Sequence, residues 1–521
     1  MRNDRFRQDR EEMKELLAQY DNLRAGRPNS YIEMEGFERI VEYFEDKDKL
    51  PDALTVCDYA MNQYPNTPDL MLLKANLLLI TKQYKHALFL LDEVEKLDNT
   101  DSNLYILKTD AYLALDMQEK AAMVLEAAIE NFEEEDKIEL LFELADVYDD
   151  YENFDKVFDC LVNILKLDGA NEEALHKICF WTDYTGRNEE GITLCKTILE
   201  DQPYNELAWF NLGAAYQGIK LHEKAIDAYE YVIAINDKFE NAYRNMGDAH
   251  LRLRNYKVAI ECLEKVIELS MPEAVVYEAI GHCYDRLENY AQARFFYKKA
   301  SHLDVSDAHL HYKIATTYMN EASWGSAIKC LTTALRTNPM QPDYNLAIGQ
   351  CYMQIGDIDE ALTRMGNVVR MRPKNINGWT ELLKCLLKSE YFEDGIEYAQ
   401  FAYEQTDGKA IFIYYKSIFY FAAGKTKEGI LQLENAMMIN PKLLKKCIPL
   451  YPSILKHRQV AELIARYKKR YKPLLPKVQF GYKVAVLLMV AKMLSLALID
   501  ADILFLPLCL LRQKKIVAKS R

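Results

Sequence analysis

Large apolar and aromatic residues return along this chain at one fixed interval. Stepping 34 residues forward from Trp209 reaches Tyr243, Tyr277, His311, Asn345, Trp379 and Ile413. Stepping backward reaches Leu175 and Leu141, then, after a two-residue shift, Tyr105, Met71 and Phe37. The clearest unit begins Trp209-Phe-Asn-Leu212-Gly213-Ala-Ala-Tyr216 and continues nine residues on with Ala225, Tyr229 and Val232. A period of this length marks a repeat array, in which each unit is one small group of helices stacked on its neighbours.

Small residues test the register. The position where a first helix must approach the second helix of its own unit reads Val41, Ala75, Thr109, Ala145, Cys179, Gly213, Gly247, Gly281, Ala315, Gly349, Leu383 and Ser417. The facing position reads Ala53, Ala87, Ala121, Val157, Gly191, Ala225, Ala259, Ala293, Ala327, Ala361, Gly395 and Gly429. All but Val157 in the second set are Ala or Gly, because a larger side chain would push the two helices apart. Proline closes several units, at Pro65, Pro203, Pro339, Pro373 and Pro441, where it stops the second helix.

The W-x-x-L-G-x-x-Y pattern of Trp209 to Tyr216, the paired small residues and the period together resemble the tetratricopeptide repeat family. The resemblance runs from about Met34 to Leu443 and is most specific between Glu206 and Asn375. It implies an all-α, right-handed superhelical solenoid of about twelve helix-turn-helix repeats, with first helices lining a concave groove. Another α-solenoid fits the period less well. The expected organisation is an N-terminal capping helix over 1–33, the repeats over 34–443, a basic capping helix over 444–475 and an apolar tail over 476–521. Met13, Leu16, Leu17, Tyr20 and Leu23 have the helical spacing of such an N-terminal cap, and Ser30 and Glu33 fit a capping box.

The resemblance also implies function. Some members of the family hold a peptide's terminal carboxylate with basic and amide side chains on three adjacent first helices. Asn211 and Asn245 occupy matching amide sites, with Arg244 and Arg252 nearby. Phe210 and Ala214 stand where that clamp needs Lys and Asn, so a carboxylate clamp is not expected. The groove would instead offer Phe210, Asn211, Arg244, Asn245, Asp248, Arg252, Glu278, His282, Arg286, Tyr312 and Gln350 to a protein or peptide ligand. The competing reading is that these are solvated residues with no dedicated ligand.

Charge changes the picture at the ends. Residues 442–521 carry 18 Lys/Arg against 3 Asp/Glu, and the rest carries 47 against 76. An acidic body disfavours nucleic acid. The run Glu133 to Asp136 with Asp146, Asp149, Asp150, Glu152 and Asp155 reads as a solvated face or as a surface steering a basic partner. Val484 to Ile499 holds only Lys492 as a charge, and Asp500, Asp502 and Pro507 break the apolar run that ends at Leu511. Basic residues flank it on both sides, from Lys472, Lys477 and Lys483 to Arg512, Lys514, Lys515, Lys519 and Arg521. Three readings stand for 484–511: a hairpin dipping into the inner leaflet of a membrane, a soluble helix pair on the last repeats, or a tail without a selected role. No apolar leader opens the chain.

Catalysis is not expected. The chain has no Walker loop, G-x-G-x-x-G, H-E-x-x-H or G-x-S-x-G. Its 11 Cys include no C-x-x-C pair. They recur at packing positions and so act as small apolar residues, with no metal or cofactor implied. The functional expectation is a cytoplasmic scaffold or adaptor binding a protein segment, or an assembly factor tethered to the cytoplasmic face of a membrane by its tail. The oligomeric state is left open.

Overall fold

A computed structural model of the chain describes residues 2–27, 31–271 and 273–470. Every regular element among them is helical. Contacts divide the chain into two compact units, Met1–Thr317 and Tyr318–Arg521.

Twelve helical hairpins run from Met34 to Ile439. They are numbered 1 to 12 below. First helices begin at residues 34, 68, 102, 134, 172, 206, 240, 274, 308, 342, 376 and 410. The one irregularity lies in hairpin 4, whose first helix, Glu134–Asp150, has 17 residues where the others have 12 to 14. The two-residue shift in the sequence is thus absorbed within a lengthened helix.

The small residues meet where the register places them. A Cβ added to Gly213 would lie 2.5 Å from Cε1 of Tyr229, and one added to Gly281 would lie 2.7 Å from the Tyr297 ring. Ala225, Ala259, Ala293 and Ala327 on the second helices are completely buried. Equal register positions also make equal hydrogen bonds. Trp209 Nε1 donates to the Pro203 carbonyl at 2.9 Å, and Trp379 Nε1 donates to the Pro373 carbonyl at 2.7 Å. Asn171, Asn205 and Asn375 cap first helices by accepting backbone N–H groups of the first turn.

The turn inside every hairpin carries one residue with positive φ. It is Asp48, Lys82, Asp116, Glu152, Gly186, Lys220, Arg254, Glu288, Ala322, Gly356, Glu390 or Gly424. In every hairpin but the fifth, the N–H of the residue that follows returns to a carbonyl in the last turn of the first helix, as in Leu221 to Tyr216, Asn255 to His250 and Asn289 to Tyr284, each at 2.9 Å. This is the left-handed helix stop that closes exposed carbonyls. Glycine is its easiest occupant, yet most of these turns use another residue.

The ends differ in detail from the sequence expectation. The N-terminal helix spans Arg2–Arg24, and its Leu16, Leu17 and buried Tyr20 join a core with Ile32, Phe37 and Ile40. The first helix of hairpin 1 begins at Met34 with Glu33 as its N-cap, so Glu33 is not the third helical residue a capping box requires; Ser30 lies outside the described residues. The segment after hairpin 12 is not one helix. It forms three 3-10 turns at Pro441–Leu443, Ile448–Leu450 and Pro452–Lys456, a four-residue helix at Leu444–Cys447, and a helix at Arg458–Arg470. Pro449 and Pro452 explain the break, since each removes a backbone donor. Cys447, Ile454, Val460 and Leu463 of this segment pack on Tyr414, Ile418 and Leu433. The apolar tail at 484–511 lies outside the described residues. Among those described, no helix is long and apolar enough to cross a membrane.

None of the ten described cysteines is in a disulfide. Burial pushes the thiols of Cys57, Cys160 and Cys195 up to about 12, which keeps them neutral and suits their place in the core.

Candidate partner-binding face

Side chains at three positions of each first helix share one face, and those of hairpins 5, 6 and 7 frame a cleft of about 680 Å³. The first helices concerned are Glu172–Thr185, Glu206–Gly218 and Glu240–Arg252. The cleft has three parts, each set by residue type.

Aromatic rings form its first wall. Phe180 and Tyr184, one turn apart, stack with ring centres 5.7 Å apart. Trp181 and Phe154 support them, with Phe154 stacked on Trp181 at 5.3 Å and edge-on to Tyr184 at 4.9 Å. Despite this packing Phe180 is 59% exposed and Tyr184 is 57% exposed. The middle is floored by Ala214 and Gly218, which stand 34 residues further on, at the positions of Phe180 and Tyr184. The small side chain of Ala214 leaves volume open, and Gly218 makes room for Asn188, whose Oδ1 would lie 2.3 Å from an added Cβ. The far wall is polar and internally bonded. Tyr229 Oη donates to Gln217 Oε1 at 3.1 Å, Gln217 Nε2 donates to Asp248 Oδ2 at 2.9 Å, and Arg252 Nε reaches the same oxygen at 3.5 Å. Asn245 Nδ2 donates to Tyr229 Oη at 3.3 Å, and burial raises the Tyr229 phenol.

Asn188, at the start of the second helix of hairpin 5, lines the same cleft. It is 7% exposed, and its Oδ1 has no hydrogen-bond partner. A buried carbonyl oxygen without a donor costs free energy and calls for one.

The residues expected from the sequence divide into three groups. Asn211, Asn245, Asp248 and Arg252 line the cleft. Asn211, however, is 5% exposed, and its Nδ2 donates to the Leu175 carbonyl at 2.7 Å, so its amide joins hairpin 6 to hairpin 5. Six others lie outside the cleft. Phe210 packs on Phe239 and Tyr229. Arg244 is held by Glu240 at 2.6 Å and Glu273 at 2.8 Å. Glu278 pairs with Lys313. His282 is half-buried, with its pKa lowered by burial and then by Lys313. Arg286 Nε donates to Tyr256 Oη at 3.3 Å, and Tyr312 stacks on His309 at 5.6 Å. Gln350 belongs to the second unit, where its Nε2 donates to Glu381 at 3.2 Å.

Phe180, Tyr184 and Asn188 were missed by the sequence reading. A usable signal was present for the first two, since they precede Asp248 and Arg252 by two whole periods. Among the described residues no group of His, Cys, Asp and Glu could hold a metal ion. The second unit has its own cleft of about 780 Å³, floored by Trp379 and edged by Tyr391, Tyr398 and Phe401.

Residues 214–348 match the family described as the tetratricopeptide repeat protein 21 C-terminal ARM domain. No curated protein matches significantly. Solved structures similar to this chain include YrrB, titled a TPR protein with an unusual peptide-binding site, at 17% identity and TM-score 0.32, covering 35% of this chain and 95% of that one. The C-terminal part of a TPR repeat-containing protein from Cytophaga hutchinsonii matches at 14% identity and TM-score 0.41, over 46% and 99% of the two chains. The APC/C hetero-tetramer Cut9-Hcn1 matches at 13% and 0.32, over 76% and 96%. With twelve hairpins at this period, at least one Ala or Gly at the helix contact of each and a repeat-family match inside the array, the chain is a tetratricopeptide-like repeat protein.

Proposed function

We propose that this protein is a non-catalytic scaffold that holds a segment of another protein against the first helices of hairpins 5 to 7. The observation that carries the reading is the pair Phe180 and Tyr184. Two large rings stand more than half exposed at the edge of an open cleft, braced from behind by Trp181 and Phe154. Rigid, half-solvated aromatic rings bring large contact area at small entropic cost, which is why they anchor protein interfaces. The bonded wall from Tyr229 to Arg252 adds a fixed polar edge beside them.

The test is affinity capture from the native source followed by mass spectrometry, with three versions of the full chain. Phe180→Ala combined with Tyr184→Ala should lose a partner that the unaltered protein retains. Phe401→Ala, in the cleft of the second unit, serves as the control and should retain it. An identical set of captured proteins from all three would place the binding surface elsewhere.

A further inference from the structure

The charges on the first-helix face are satisfied in one half and unsatisfied in the other. Toward hairpins 7 to 9 most cations are already paired with carboxylates, Arg286 excepted. Arg244 has two carboxylates, Arg252 has Asp248, and Lys313 has Glu278. Toward hairpins 3 and 4 the reverse holds. Asp110 and Glu143 have no ion-pair partner among the described residues, and Asp146 has only Lys177 at 3.9 Å, which Glu173 holds more closely at 2.9 Å. Partial burial raises the Asp110 carboxyl. Glu143 is raised by burial first and then by the charges of Asp110 and Asp146, which outweigh the opposing charge of Lys177.

This acidic group adjoins the aromatic wall. Lys177 lies one turn before Phe180 and Trp181 on the same helix, and it reaches back to Asp146 and over the Phe142 ring at 5.0 Å. The ring faces here therefore already accept a cation. Carboxylates and aromatic faces favour the same visitor.

We propose that the segment held on this face is basic, placing a lysine or arginine against Asp110, Glu143 and Asp146 and an apolar side chain on Phe180 and Tyr184. This rests on the scaffold reading and narrows it to one class of partner. A segment ending in a free carboxylate is the opposite class, and the carboxylates of Asp110, Glu143 and Asp146 repel it.

The probes are three fluorescein-labelled decapeptides with blocked ends and a common Leu-Phe core, flanked by arginine, glutamine or glutamate. Binding to the full-length protein is followed by fluorescence anisotropy at low and high salt. The arginine peptide should bind most tightly and weaken with salt. Asp110→Asn combined with Glu143→Gln should weaken it about tenfold while helicity by circular dichroism stays unchanged, because both changes keep the size and shape of the side chain. Equal or tighter binding of the glutamate peptide overturns the proposal, as does an unaltered affinity in the double variant or no binding of the arginine peptide. The Phe180→Ala, Tyr184→Ala variant separates the two ideas. Glutamate-peptide binding that is lost in that variant refutes the basic class and leaves the face intact. Arginine-peptide binding that ignores it refutes the face.

Discussion

Gly213 has the space of a hydrogen atom against the edge of the Tyr229 ring. Gly213→Leu should therefore destabilise the protein by about 1–3 kcal/mol through overpacking, seen as a lower urea midpoint. An unchanged midpoint would mean that the two helices are not in the register described. The positive-φ turns make the opposite prediction. A left-handed conformation costs a side-chain-bearing residue about 1–2 kcal/mol, part of which glycine would lose again through its freer unfolded chain. Lys220→Gly or Arg254→Gly should accordingly raise stability by about 0.5–1 kcal/mol. Destabilisation by both would show that these side chains hold the turn in another way. The glycine register was legible in the sequence because close approach admits few residue types. The turns were not, since Asp, Lys, Glu, Arg and Ala all occupy them and only their spacing gives them away.

At the scale of helices, period and small-residue pairs were enough to place the hairpins and the two-residue shift before hairpin 5, but not the lengthened helix that absorbs it. The site was less legible, for a physical reason. A side chain's position on a helix follows from its number, but whether it is free to bind depends on what folding brings beside it. Arg244 could be placed on the face from the sequence alone. Its neutralisation by Glu273, on the approach to the next hairpin, could not. Asn211 is the sharper case, because the same position reads as a ligand clamp or as a brace between hairpins. Asn211→Ala would remove the donor that ties hairpin 6 to the Leu175 carbonyl, which keeps its own helix bond, so a loss of about 0.5–1.5 kcal/mol in stability is expected. Weakened partner binding at unchanged thermal stability would instead make Asn211 a contact residue.

At the scale of the whole chain, an acidic body precedes a strongly basic C-terminal stretch. If residues 484–511 enter a membrane, the full chain will sediment with membranes and resist a high-salt wash, while a chain ending at Pro473 will stay in the supernatant. Both versions in the supernatant would end the idea. One feature of hairpin 4 reaches beyond binding. Its extra residues stay within a single lengthened helix, and all eight later hairpins keep the same spacing as those before. Length errors are thus quarantined where they arise. A gene built this way can duplicate or delete one whole unit by misaligned recombination, and the neighbouring units will still find the surfaces they need. The face described above can then be lengthened, shortened or recoloured in charge one hairpin at a time, which makes partner choice unusually open to inheritance by small steps.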